Sequence, residues 1–327
     1  MKEAKAVLAA ILAAVLYALM TPLAKLMQVS VGPVAEAGLL YLGAGIGMSA
    51  ISLFRTGTGI RSGRPPIGRE DLKYVLAMIL LDMLAPVFLL LGLSMSNPES
   101  VSLLNNFEIA ATTVIAVLLF HERAGRKLVI SISLITLSCL LLSLESGDAL
   151  QFSAGSLFVL LACVCWGFEN NCTSSLSEKD TCQIVLLKGL GSGSASLLLS
   201  FLIREGSRPA AGWLFVMLLG FLSIGLSVYF YVLAQSVIGA ARTSAYYAAA
   251  PFIGVLLSLL IFRQLPGRLF WIALAIMAAG VCINVLDIFA RCLPFPAEHA
   301  EGHHSGPAAG RRSGNPPAGD PDNCHSF

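Results

Sequence analysis

Charge is what this chain has least of. Asp, Glu, Lys and Arg make up 12% of its 327 residues, roughly half the share usual in a soluble domain. The net charge is only +2, and the cations sit in loops rather than along one face, so nucleic acid is not an expected partner. Histidine is scarce as well, and four of the five (His299, His303, His304, His325) fall in the last stretch of the chain. The eight cysteines carry no metal-ligand spacing and no disulfide framework. Cys139, Cys163, Cys165 and Cys282 lie inside apolar runs, where a thiol behaves as a small hydrophobe. The glycine-rich stretch Gly189-Leu190-Gly191-Ser192-Gly193 lacks the Gly-Lys-Ser/Thr ending of a phosphate loop, which excludes nucleotide binding there. No cofactor and no metal are therefore expected.

What the chain has in abundance is apolar length. Hydrophobic residues form 56% of it, in runs of about 20 residues, each close to what crosses ~30 Å of hydrocarbon. Ten such spans are expected, at 5–27, 33–54, 72–95, 100–120, 127–145, 154–176, 182–203, 212–235, 241–262 and 268–290, numbered 1 to 10 below. The first could pass for a signal peptide, but it runs on past Met20 and has no small-residue cleavage site, so it is read as span 1. From 291 to 327 the chain turns rich in Pro, Gly, Ala and His, the composition of a disordered tail.

Orientation follows from the cations. With the N-terminus inside, the cytoplasmic side collects Lys2, Lys5, Arg55, Arg61, Arg64, Arg69, Lys73, Arg123, Arg126, Lys127, Lys179, Arg242, Arg291, Arg311 and Arg312, against Arg204, Arg208, Arg263 and Arg268 outside. Both termini are expected in the cytoplasm of a multi-pass protein of the cell (inner) membrane.

An internal repeat organises the spans. Shifted by 142 positions, Ser94–Arg126 lies on Ser236–Arg268, matching Ser102 to Ser244, Phe120 to Phe262 and Gly125 to Gly267. At a slightly larger offset the ladder Gly43, Gly45, Gly47 meets Gly189, Gly191, Gly193, and Tyr17 meets Trp166. Five spans is an odd number, so the second copy must enter the membrane from the opposite side. The expected fold is an all-α polytopic membrane protein: ten transmembrane helices as two inverted five-helix repeats, residues 1–145 and 146–290. Many secondary transporters have this architecture, with the solute site near the midplane between the halves.

These features resemble the drug/metabolite transporter superfamily, and within it the EamA-type permeases. The resemblance covers about residues 5–290. It is carried by the two five-span halves, the pairs Tyr17-Ala18 and Trp166-Gly167, the span ends Leu119-Phe120-His121-Glu122-Arg123 and Ile261-Phe262-Arg263-Gln264, and Pro251. Two departures stand out. Span 4 has Glu108-Ile109 where the family usually has a proline, and Gln264 replaces the acid found at Glu122. The first suggests a subgroup with its own substrate. The resemblance implies a basket of helices around a central cavity lined by spans 1, 3, 4, 6, 8 and 9.

An ionised group at mid-bilayer costs at least ~2.5–3.5 kcal/mol, so it is expected to face a partner or a wet cavity. Glu169 and Lys188 come to the same depth on consecutive spans at ~1.5 Å per residue, which suggests an ion pair, either a fixed structural one or a cytoplasmic gate. Asp82 and Glu108 both fall near mid-depth. Two neighbouring carboxylates there are candidates for proton coupling or for attracting a cationic group, and the alternative is that one merely accepts hydrogen bonds from adjacent helices. Asn105, Asn106 and Asn170, with Asn171 beside it, are candidate solute contacts or interhelical glue. Tyr17, Trp166, Tyr246 and Tyr247 are candidate cavity linings or interfacial anchors. Pro22 and Pro86 free backbone carbonyls inside spans, and Lys25 and Glu36 are expected to pair across the first outer loop. The chain so read is a secondary transporter of a small amphipathic metabolite or drug-like solute, an amino acid or related zwitterion being one candidate, working by alternating access and coupled to protons through Glu108 or Asp82. A non-transporting sensor or structural protein, and a membrane-embedded enzyme built on His121-Glu122-Arg123, are the rival classes. The partners are the solute and the lipid bilayer, with a homodimer as an open alternative to a monomer.

Overall fold

The structure is a computed structural model and describes residues 2–28, 31–57, 65–119, 125–143, 153–176, 179–205, 211–238, 243 and 246–292. His121-Glu122-Arg123, Ser244 and the tail from 293 lie outside those residues. All the regular structure described is helical. Among the described residues, nine helical stretches are long and apolar enough to cross a membrane, and a shorter apolar helix, Ala250–Phe262, lies in span 9. Large apolar side chains stay exposed around the outside of the bundle, Phe201 at 80% and Leu214 at 71%. Such a surface would be a liability in water and suits one that faces hydrocarbon.

Four spans depart from one uninterrupted α-helix. Span 1 is Lys2–Ala18 followed by Met20–Met27, and Pro22, in the first turn of the second piece, lacks the N–H that would have bonded the carbonyl four residues back. Span 4 is Pro98–Leu104 followed by Phe107–Leu119. Span 8 runs Ala211–Gly220, a π-helical stretch Phe221–Leu226, then Ser227–Ile238. Span 9 has a turn at Ala248-Ala249 directly before Ala250–Phe262. Spans 2 (Pro33–Gly57), 3 (Leu72–Met95), 5 (Arg126–Ser143), 6 (Ala154–Ser174), 7 (Thr181–Leu202) and 10 (Arg268–Cys292) are continuous, span 3 despite Pro86.

The packing has two-fold character. Span 3 packs on span 6 as span 8 packs on span 1, and span 4 packs on span 6 as span 9 packs on span 1. Spans 2 and 7, and spans 5 and 10, pack on each other. Exchanging the halves therefore leaves the pattern unchanged. The serines of span 5 bring this to atomic detail. Ser131 Oγ donates to the Gly280 carbonyl at 2.8 Å, and Ser138 Oγ to the Ala273 carbonyl at 2.6 Å. Since 131 and 273, and 138 and 280, each differ by 142, every serine bonds the counterpart of the other, as across an isologous interface. The paired residue numbers rise on one helix as they fall on the other, so equivalent helices run in opposite directions. The halves are inverted repeats.

The glycines of spans 2 and 7 correct the register expected from their ladder. A Cβ on Gly45 would strike the backbone of Leu190 at 2.7 Å, and one on Gly189 would strike the backbone of Gly45. Gly47 faces the Phe221 ring, while Gly191 faces Ile79 at 2.7 Å, and Ile79 and Phe221 are themselves 142 apart. The equivalent pairs are thus Gly45 with Gly189 and Gly47 with Gly191, an offset of 144, not Gly43 with Gly189. Gly43 and Gly47, four residues apart, both serve the close contact with span 8, Gly43 against the Met217 carbonyl and Gly47 against the Phe221 ring.

Ties at the two ends of the bundle differ. On the side of the termini, Lys179 pairs with Asp71 at 2.9 Å and Glu70 at 3.7 Å, and Asp180 N–H donates to the Pro65 carbonyl at 3.1 Å. The hydrogen bond to Asp71 holds the Lys179 ammonium above the usual lysine range. On the far side, Glu205 caps span 2, accepting from Val34 N–H at 3.1 Å and Ala35 N–H at 2.7 Å, where a carboxylate meets the positive end of a helix. Lys25 does not pair with Glu36. Its ammonium donates to the carbonyls of Leu93, Ser94 and Ser96 at the end of span 3, because a helix C-terminus leaves carbonyls without partners.

Candidate functional site

Among the described residues, two groups of polar side chains tie the spans together in the interior. In the first, Lys188 of span 7 reaches Glu169 Oε1 of span 6 at 2.6 Å and Asp82 Oδ2 of span 3 at 3.3 Å. Tyr41 of span 2 donates its hydroxyl to Asp82 Oδ1 at 3.2 Å, and Thr173, one turn beyond Glu169, donates to Glu169 Oε1. Three spans thus meet at one ammonium, with span 2 joined through Asp82, and both carboxylates are almost wholly buried, 2% and 3% exposed at the side chain. The Trp166 indole lies beside the Tyr41 hydroxyl, and the Trp166 ring is packed in the core rather than lining a space.

In the second group, Asn170 of span 6 donates to Glu108 Oε1 of span 4 at 2.7 Å and to Thr112 Oγ1 at 3.2 Å. Asn171 turns away to the carbonyls of Thr112 at 3.2 Å and Gly167 at 2.7 Å. Asp82 and Glu108 therefore do not form the carboxylate pair expected of them, because Lys188 and Tyr41 hold the one and Asn170 the other. Tyr17 of span 1 and Tyr247 of span 9 meet ring to ring. These two tyrosines, with Tyr231, make a cluster with ring centroids 5.6 Å apart for Tyr17–Tyr247 and 5.2 Å for Tyr231–Tyr247. Ser227 steadies it, with its Oγ 3.3 Å from the Tyr247 hydroxyl and donating to the Ala13 carbonyl at 2.9 Å. Glu108, Asn170, Tyr17, Tyr231 and Tyr247 are each partly buried.

Asn105 and Asn106 are placed differently. They form the break in span 4, where Asn106 Nδ2 donates to the Leu103 carbonyl at 3.1 Å and Glu108 N–H to the Asn105 carbonyl at 3.1 Å. Breaking a helix frees carbonyls, and Cys163 Sγ sits 3.7 Å from that of Leu104, with weak donor character. The asparagine turn thus does in span 4 what Pro251 does in span 9, and it delivers Glu108 at the start of the second piece. Tyr246 packs against Ala9, Ala10 and Ala234. The sequence reading missed Tyr41, Thr112, Thr173, Ser227 and Tyr231. A signal existed for two of them, since Thr112 and Thr173 follow Glu108 and Glu169 by four residues, on the same helix face.

A cleft of about 290 Å³ opens on the far end of the bundle, lined by Ser96, Glu99, Ser156 and Phe270 among others. It lies apart from both groups.

Comparison with known proteins agrees with this architecture. The model of the EamA-like transporter family matches residues 4–144 and 153–286. An uncharacterized transporter of Methanothermobacter thermautotrophicus (strain Delta H) is 26% identical over 297 residues, 84% of each chain. A solved crystal structure superposes with a TM-score of 0.63 at 20% identity, covering 90% of this chain and 99% of that one, a likeness of fold.

Proposed function

Because the chain belongs to the EamA-like transporter family, and so to the drug/metabolite transporter superfamily, we propose that it is a secondary transporter that carries a small amphipathic solute bearing an amino group by alternating access between its two halves. The observation that supports this reading is a polar constellation between the spans, where Asn170 holds Glu108 and Tyr17, Tyr247 and Tyr231 of spans 1, 9 and 8 cluster ring to ring. Inverted halves make two states of similar energy available to one sequence, one open to each side. The ties of Lys188 to Asp82 and Glu169, and of Lys179 to Asp71, close the side of the termini, which is the cytoplasmic side in the proposed orientation in the cell membrane. Opening that side separates spans 3, 6 and 7 and frees the Lys188 cluster.

Glu108 serves as the proton-coupling carboxylate. Its partner Asn170 is neutral, whereas Asp82 is already offset by Lys188, so of these two carboxylates Glu108 is the one left to exchange a proton or a cation. Uptake by the full chain in proteoliposomes tests this. An imposed proton gradient accelerates solute uptake by the native chain, and Glu108→Gln abolishes that acceleration, a loss of at least ~tenfold on the scale of a removed acid-base group. Unchanged pH dependence in both Glu108→Gln and Asp82→Asn removes the proton reading. Absence of flux for every member of a broad metabolite panel removes the transporter and favours the sensor.

A further inference from the structure

We propose that the cleft at the far end of the bundle is a second binding site, separate from Glu108, that seats a primary ammonium group. The ends of spans 3, 4, 5, 6 and 10 converge there on a space of about 290 Å³, room for a small headgroup rather than a drug-sized solute. Ser96, Asn97, Glu99 and Ser156 supply its polar wall, and among the described residues no Lys, Arg or His lines it. Glu99 is only 2% exposed. Apart from its own N–H, no described residue donates to its carboxylate or forms an ion pair with it. Lys25 reaches the rim of the cleft at the Ser96 carbonyl, 3.1 Å away, and its ammonium is held there together with the Leu93 and Ser94 carbonyls. The Ser96 hydroxyl is buried without a hydrogen-bond partner. A carboxylate almost wholly out of water calls for a counter-charge, and carboxylate, hydroxyl and amide oxygens together make a set of acceptors for N–H donors.

The duplicated fold does not itself call for these polar groups. At the repeat offset of 142, Ser96, Asn97 and Glu99 meet Ile238, Gly239 and Ala241, so the second half makes the same connection without them. A primary ammonium has two sources here, the headgroup of phosphatidylethanolamine and a free amine. The position of the cleft suits the headgroup. Its apolar wall includes Leu141 of span 5 and Leu269 of span 10, and one turn along the same helices Leu137 and Ile272 are exposed. The wall therefore runs on into the surface that faces hydrocarbon, where acyl chains would lie below a seated headgroup. A choline headgroup carries the same charge but has no N–H to offer the acceptors.

Melting temperatures of the full chain in nanodiscs test this in three settings: phosphatidylcholine alone, phosphatidylcholine with phosphatidylethanolamine, and phosphatidylcholine with added ethanolamine. The native chain is expected to melt higher by about 3 °C or more with one of the two amines than with neither. A shift with the lipid but not with ethanolamine identifies a headgroup as the source, and a shift with ethanolamine identifies a free amine. Glu99→Gln is expected to abolish the shift while melting no lower than the native chain in phosphatidylcholine, since it removes a buried charge that lacks its counter-ion. Gly267→Leu is expected to abolish the shift with Glu99 intact. Gly267 lines the cleft, and a Cβ there meets nothing within 4 Å, so the added side chain fills the space without a clash. Equal melting of the native chain in all three settings, or a shift that survives in either variant, overturns the inference. So does a Glu99→Gln variant that melts well below the native chain in phosphatidylcholine, because Glu99 would then be serving the fold. The transporter reading stands or falls separately.

Discussion

Replacing Lys188 with methionine is expected to destabilise the protein by about 3–5 kcal/mol, the cost of leaving buried charges without their counter-ion. Methionine has nearly the length of the lysine stem and fills its space, so the loss measures charge rather than a cavity. Asp82 and Glu169 would remain 2% and 3% exposed at the side chain, with one hydroxyl each, from Tyr41 and Thr173, in place of the ammonium. Neutralising those acids as well should restore most of the loss, because a buried ion cluster is often worth little against a neutral isostere even though breaking it is costly. The triple variant Asp82→Asn, Glu169→Gln, Lys188→Met should therefore unfold at nearly the native denaturant concentration, and Lys188→Met alone well below it. Equal midpoints for the native chain and Lys188→Met, measured by denaturant titration in detergent, would show that water or lipid already compensates the two acids. The triple variant also isolates the closing role. Folded but without the ionic tie among spans 3, 6 and 7, it should change the rate of solute exchange while keeping the site at Glu108.

The architecture was legible because its signals are long and repeated. Lipid-length apolar runs mark the spans, and a five-span unit that recurs must recur upside down. The match of Ser94–Arg126 to Ser236–Arg268 put Ser131 on Ala273 and Ser138 on Gly280, and the serine bonds between spans 5 and 10 follow that alignment residue for residue. The glycine ladder misled for a definite reason. Glycines alternate on both helices, so slipping the register by two residues matches as many of them, and the structure alone distinguishes those that face span 7 from those that face span 8. Lys188 and Glu169 were readable as a pair because they lie on consecutive spans at one depth. Asp82, on a span far away in sequence, joined them through the packing of span 3 on spans 6 and 7, which no local pattern encodes. Asn105 and Asn106 looked like ligand groups because an amide in an apolar helix needs a partner, and the Asn106 amide finds one for its N–H in the Leu103 carbonyl, within the turn the two residues make. Tyr231 could not be separated from other aromatics in an apolar helix until the π-helical stretch 221–226 had set the rotation of the segment that follows, an insertion-like distortion common near functional sites.

A close approach of two backbones carries the other large effect. At the crossing of spans 2 and 7, a Cβ on Gly189 would fall 2.8 Å from the Tyr41 carbonyl as well as onto Gly45, and one on Gly45 would fall 2.8 Å from the Gly189 carbonyl carbon. These neighbours are backbone atoms of continuous helices, so no side chain can rotate away and the helices must part. Gly189→Val is expected to cost roughly 3 kcal/mol, the upper end of overpacking penalties, with a further loss of the contacts that close approach permits. Because Tyr41 lies one turn from Gly45 and donates to Asp82, the displacement also reaches the Lys188 cluster, so solute flux should fall in the fraction that remains folded. The milder pair Gly45→Ala and Gly189→Ala tests the cause. If one gap accommodates both, the first alanine opens it and the second adds little, so the double variant should lose clearly less stability than the two single losses combined. Strict additivity in denaturant titrations would mean that the two glycines act on separate neighbours, and the two-fold contact at this crossing would have to be given up.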